Sequence, residues 1–265
     1  MYLNKKSNFI LATAVLLCSS FIILNKDGKK PVLFIIGDST VKNGRGDGAG
    51  NMWGWGDLIS PFFDTAKINI ENDALGGTSS RSFLTKGLWD KVLLKLQKGD
   101  YVIMQFGHND GGPLDDTARA RGTIKGVSDS AKEIYNPITK QQEMVHTYGW
   151  YLSKFVNDAK AKGATVFICS PIPRNEWKDG KMIRYNETSY GLWAKQTAES
   201  TGACFIDLNS LIADEYDAMG KEKVDPFFPN EHTHTSREGA ALNAACVVKG
   251  IKRLKKCELN KYLLK

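Results

Sequence analysis

The sequence predicts an α/β fold: one doubly wound domain with a five-stranded parallel sheet between two layers of helices. Three observations predict it. Five short runs rich in β-branched or aromatic residues lie at 32–36, 67–71, 101–105, 165–169 and 204–206, the composition of strands buried on both faces. Longer stretches with helical spacing separate most of them. The first three runs are each followed by a loop dense in Gly, Asp, Ser or Asn, at the sheet edge where open parallel sheets bind ligands.

In chain order, helices are expected at 87–96, 149–161, 190–200, 208–219 and 236–255. Gly99, Gly163 and Gly202 each stand between a helix and the next strand, where a helix end favours glycine. No internal repeat, low-complexity tract or linker divides the chain. The expected organisation is a single flavodoxin-like three-layer domain at 30–258, followed by a basic tail at 259–265.

With 265 residues, 42% of them hydrophobic and 25% charged, the chain is long enough for a sizeable core, and disordered, collagen-like and disulfide-scaffold classes are excluded. The net charge of +7 is unevenly placed. Lys5 and Lys6 supply two charges, and seven basic residues against Glu258 give +6 over 249–265, so 7–248 sum to −1. A nearly neutral body gives no support from global charge for an acidic partner, whether nucleic acid, anionic lipid or acidic polysaccharide.

Lys5 and Lys6 precede an apolar stretch at 9–24 that turns polar at Asn25. A basic segment before a short apolar one reads as a secretory signal peptide or N-terminal anchor over 1–25, with the protein exported to the periplasm or outside the cell. Cys18 follows Leu16 and Leu17 rather than a small residue, an unfavourable setting for lipidation. Beyond this segment Cys169, Cys204, Cys246 and Cys257 remain, an even number that permits disulfides without requiring them. Cys246 and Cys257 can pair only if the last helix ends between them.

The chemistry-bearing residues cluster after the strands. Ser39, in Gly37-Asp38-Ser39-Thr40, would be held forward of the first strand as a nucleophile. His234, near the last helix, supplies a base, and Glu231 three residues earlier supplies a carboxylate to orient it. Asp225 is another acid in reach by sequence. Backbone N–H groups at Gly76-Gly77 and the Asn109 side chain are donors suited to an oxyanion. Asp38, adjacent to Ser39, suits a turn-stabilising hydrogen bond. His108, His232, His234 and Asp110 lack metal-ligand spacing, so no metal or cofactor is expected. Trp53 and Trp55 would either stack on sugar faces or pack in the core. Arg81 would either bind a uronic carboxylate or pair with a neighbouring acid.

Together these blocks resemble SGNH (GDSL-like) hydrolases. The strings 76–83, 106–112 and 232–236 resemble rhamnogalacturonan acetylesterases more narrowly, and the resemblance runs in order from about Val32 to Gly250. It implies Ser39 as nucleophile, His234 as general base and acid, Glu231 as its orienter, and an oxyanion hole of the Ser39 and Gly77 N–H groups with the Asn109 amide. One position departs: the family usually has aspartate where this chain has Glu231. The implied activity is that of an exported serine esterase removing acetyl groups from plant cell-wall polysaccharide, rhamnogalacturonan first. Its partner would be acetylated polysaccharide or oligosaccharide, with the membrane reached only through the N-terminal segment and a monomer expected. The alternatives are an esterase of acetylated xylan or other acyl esters, and a catalytically impaired polysaccharide-binding protein on the same scaffold.

Overall fold

The computed structural model describes residues 29–185 and 188–265. The expected signal or anchor at 1–25, including Cys18, lies outside them. Among the described residues no helix is long and apolar enough to cross a membrane.

The chain forms β1 (Val32–Gly37), the short α1 (Arg45–Gly48), β2 (Asn69–Asn72), α2 (Ser80–Thr85), α3 (Leu88–Lys95) and β3 (Tyr101–Gln105). A hairpin of β4 (Ala131–Asn136) and β5 (Gln141–His146) follows, then α4 (Tyr148–Ala161) and β6 (Thr165–Cys169). The remainder is the two-residue pair β7 (Trp177–Lys178) and β8 (Lys181–Met182), α5 (Tyr190–Thr201), β9 (Cys204–Ile206), α6 (Leu208–Met219), α7 (Lys221–Val224) and α8 (Arg237–Arg253). The main sheet has five strands in the order β2-β1-β3-β6-β9, all parallel. This is the flavodoxin-like order, and the predicted fold class is observed.

Alternation along the strands divides the core in two. Leu33, Ile35, Tyr101, Ile103, Phe167 and Cys169 face one cluster, which includes residues of α6 and α8. Phe34, Ile36, Val102, Met104, Val166 and Ile168 face the other, with residues of α3, α4 and α5. Each fully buried large aliphatic or aromatic side chain contributes roughly 1.5–3 kcal/mol relative to exposure.

Several expected boundaries move. Asp64 captures the N–H groups of Ala66, Lys67 and Ile68 in a turn, so β2 begins at Asn69 rather than 67. The last helix stops at Arg253, not 255. This meets the geometric condition for Cys246 and Cys257 to approach, yet Cys169, Cys204, Cys246 and Cys257 are all free thiols. The basic tail at 259–265 packs on the domain: Leu259 is fully buried, Leu263 bridges to Phe63, and the Tyr262 ring meets Tyr101.

Candidate active site

The site begins with a tight exit from β1. A Cβ on Gly37 would stand 2.6 Å from both the Gln105 carbonyl oxygen and Val41 Cγ2, so only glycine lets the chain turn there. Asp38 follows, fully buried. Its Oδ1 accepts the Thr40 N–H at 2.9 Å and the Thr40 hydroxyl at 2.7 Å, the turn-stabilising role suited to it. Burial pushes the Asp38 pKa up, but His108 and the Thr40 donors outweigh it and hold it below the ordinary carboxylate value. The chain of bonds continues inward, with Gln105 Nε2 donating to Thr40 Oγ1 at 2.6 Å and Trp55 Nε1 to Gln105 Oε1 at 2.8 Å.

Ser39 projects from this web toward the loop before α8. Its Oγ is 2.8 Å from His234 Nε2, and His234 Nδ1 is 2.6 Å from Glu231 Oε1. Glu231 Oε1 also accepts the His234 backbone N–H at 2.7 Å, and Oε2 that of Thr233 at 2.9 Å. The longer side chain curls back onto its own loop, which accommodates the methylene that separates it from aspartate. Partial burial raises the Glu231 pKa, but the His234 and Thr233 bonds outweigh this and hold it ionised below its ordinary value. Asp225 is elsewhere, bound to Lys221 and Asn175.

The loop after β2 passes beside the serine: a Cβ on Gly76 would be 3.6 Å from Ser39 Cβ. Gly77 has φ +79°, left-handed backbone that glycine enters without penalty. Thr78 fastens the loop, its hydroxyl donating to the Leu75 carbonyl at 2.7 Å. Among the described residues the backbone N–H groups of Ser39 and Gly77 have no protein acceptor. Asn109 Nδ2 donates to the Thr78 carbonyl at 2.8 Å, which leaves its second N–H for another acceptor. The next residue, Asp110, is fully buried and accepts the Ser80 N–H at 3.0 Å and hydroxyl at 2.5 Å. Burial, with the nearby Asp38 charge, pushes its pKa up to about 7 against these bonds.

Other predicted residues go elsewhere. Arg81 is fully buried and forms a two-pronged pair with Glu143 of β5, both contacts at 2.7 Å, and also donates to the Leu114 and Gly122 carbonyls. It ties the hairpin to α2 and has no face for a uronate. Trp55 is likewise fully buried, so of its two readings core packing is the observed one. Trp53 is half-buried, with the Arg237 guanidinium 5.6 Å from its ring centroid and its backbone N–H donated to the Thr235 carbonyl. The three histidines serve different partners: His108 Nε2 lies 3.1 Å from the Ile172 carbonyl, His232 Nε2 accepts from Arg174, and His234 meets Ser39. Among the described residues no group of three or more His, Cys, Asp or Glu is placed to hold a metal ion.

Hydroxyl, imidazole and carboxylate in line, with free N–H donors beside the hydroxyl, are the equipment of acyl transfer. Fold and site thus fit an ester hydrolase on a three-layer α/β/α scaffold. Residues 35–242 match the GDSL-like lipase/acylhydrolase family, and the chain belongs to that family. It is similar to a rhamnogalacturonan acetylesterase of Emericella nidulans, 34% identical over 83% of this chain and 84% of that one. A probable rhamnogalacturonan acetylesterase of Bacillus subtilis, YesY, is 30% identical over 84% of this chain and 93% of its own. Among solved structures, the Bacillus subtilis protein YxiM superposes with a TM-score of 0.68 at 23% identity, over 85% of this chain and 57% of that one. The acetylxylan esterase Axe2 of Geobacillus stearothermophilus does so with a TM-score of 0.55 at 18% identity, over 83% and 93%.

Proposed function

We propose that this protein is an exported esterase that removes O-acetyl groups from rhamnogalacturonan through an acetyl-serine intermediate. The observation that carries the mechanism is the unbroken relay from Glu231 through His234 to Ser39, at 2.6 and 2.8 Å. Ser39 Oγ attacks the acetyl carbonyl carbon as His234 Nε2 takes its proton. The tetrahedral oxyanion receives the Ser39 and Gly77 N–H groups and the second Asn109 N–H. Collapse breaks the bond to the sugar oxygen, which leaves with the proton from His234. Water, deprotonated by His234, then attacks the acetyl carbon and frees Ser39 and acetate. The substrate follows the names of the relatives. The short Glu231 contact supports catalysis over the impaired binding-protein alternative.

Acetate release from acetylated rhamnogalacturonan and acetylated xylan, compared between wild type and Ser39→Ala, tests this reading. Activity on rhamnogalacturonan that falls by roughly 10³-fold or more in the variant is the expected result. Activity confined to xylan overturns the substrate, and hydrolysis that does not depend on Ser39 overturns the mechanism.

A further inference from the structure

The five strands of the main sheet are parallel, so all enter it at one edge, opposite the edge that carries Ser39, Gly77 and Asn109. A lysine stands at each entry. Lys30 precedes β1, Lys67 precedes β2, Lys98 precedes β3 and Lys162 precedes β6. At β9 the place is taken from α4, whose Lys160 Nζ donates to the Thr201 carbonyl at 2.7 Å. Neighbouring entries touch: a Cβ on Gly163 would stand 2.9 Å from Lys98 Cγ, and Lys30 Nζ donates to the Thr65 carbonyl at 3.1 Å. All five lysines are exposed.

The end of the chain adds to this face. After α8, Lys255 and Lys256 lead to the segment whose Tyr262 ring meets Tyr101 at the start of β3 and whose Tyr262 carbonyl accepts the Asp64 N–H. Lys261 and Lys265 are exposed there, and so is Leu264, a large apolar side chain left 50% in solvent. The nearby acids do not neutralise the face. Asp64 pairs with Lys67 and Glu258 with Lys261, while Asp100 is buried with its oxygens on the Val32 and Gln97 N–H groups. Lys98, Lys162, Lys255 and Lys256 form no ion pair among the described residues. Since 7–248 sum to −1, the charge of the body is polarised rather than absent. A helix C-terminus favours a cation, which accounts for Lys160 and Lys162 but not for Lys30 and Lys67, which precede strands and end no helix.

We propose that this edge of the sheet docks on the anionic phospholipid surface of a membrane and holds Ser39 on the side turned away from it. β1 spans six residues, so the serine stands at least about 20 Å from the lipid. The chain enters the domain through this same face: Lys29 and Lys30 lie on it, and only residues 25–28 separate them from the apolar stretch at 9–24. A basic face beside an apolar segment supplies the two attractions that together hold a protein on a bilayer. Lysine suits such a surface, being a compact charge that needs no fixed geometry from mobile headgroups.

Amine-reactive footprinting of the full chain, read by mass spectrometry, tests this with vesicles of phosphatidylglycerol and of phosphatidylcholine. Phosphatidylglycerol should slow the labelling of Lys98, Lys162 and Lys256 by roughly fivefold or more and phosphatidylcholine should not, while Lys132 and Lys140 on the hairpin of β4 and β5 label alike with both. An inserted apolar stretch would bind either lipid, so the contrast between the two isolates the face. The protection should fade as salt is raised to about 0.5 M. Substituting Lys98→Gln, Lys162→Gln and Lys256→Gln together should lower the ratio of partition into phosphatidylglycerol over phosphatidylcholine by about 10²-fold, from roughly fivefold per lysine. All three residues are exposed, so Tm should stay unchanged. Equal protection by the two lipids, protection confined to the hairpin lysines, or a ratio that the triple substitution leaves unmoved overturns the docking face. Protection by polygalacturonate and not by phosphatidylglycerol overturns the lipid and gives the face to an acidic polymer.

Discussion

Ser39 and His234 meet at 2.8 Å, but the structures behind them differ. Behind the serine, Asp38, Thr40, Gln105 and Trp55 form a hydrogen-bonded chain with no member more than 1% exposed. Behind the histidine stands one carboxylate, Glu231, whose side chain is 42% exposed and whose other partners are backbone N–H groups of its own loop. Ser39 is thus placed by the core, and disturbing its support is a matter of stability. His234 is placed by a local loop, and under the proposed mechanism disturbing its support is a matter of rate.

The sharpest way to break this contrast is Glu231→Gln. The amide presents N–H or a weaker acceptor to Nδ1 and no longer stabilises the imidazolium, so kcat should fall by roughly 10²-fold or more with little change in Tm. An unchanged kcat would remove Glu231 from the relay. On the other side, Trp55→Phe leaves Gln105 Oε1 buried without its donor, at a cost of about 1–3 kcal/mol. Denaturant unfolding should show that loss while kcat falls less than in Glu231→Gln; the reverse pattern would undo the division of roles.

The smallest effect is expected at Asp110, fully buried against Ser80 at the start of α2. Its folded pKa, about 7, lies above its ordinary 3.8. Between these values the unfolded chain has released the proton and the folded one still holds it. The stability this group contributes is therefore present below about pH 4 and lost as pH rises to about 7. Asp110→Asn keeps an acceptor for Ser80 and removes the titration. Tm measured from pH 4 to 8 should decline less steeply over that window in the variant than in wild type.

The sheet was legible because its strands are short, apolar and followed by turn residues, and α4, α5 and α6 begin and end within about a residue of their expected limits. Ser39, Gly77, Asn109 and His234 could be picked out because strand ends expose polar residues that a core would not tolerate. The hairpin of β4 and β5 escaped because only Ile134, Asn136 and Val145 on its strands are buried, too few for a visible alternation. That omission concealed the role of Arg81, whose partner Glu143 lies on the hairpin, 62 positions away. Lys30, Lys98, Lys162 and Lys256 lie far apart in the chain, and spacing says nothing about which lysines converge.

The packed segment near the end of the chain bears on synthesis. Leu264 donates its N–H to the Phe62 carbonyl, the Asp64 N–H reaches back to the Tyr262 carbonyl, and Leu259 is fully buried in the cluster beneath β1 and β3. These contacts join residues about 200 positions apart and cannot form until the segment has left the ribosome. Residues 62–64 therefore lack these partners while the intervening chain is being made, and this packing is a long-range closure that comes late.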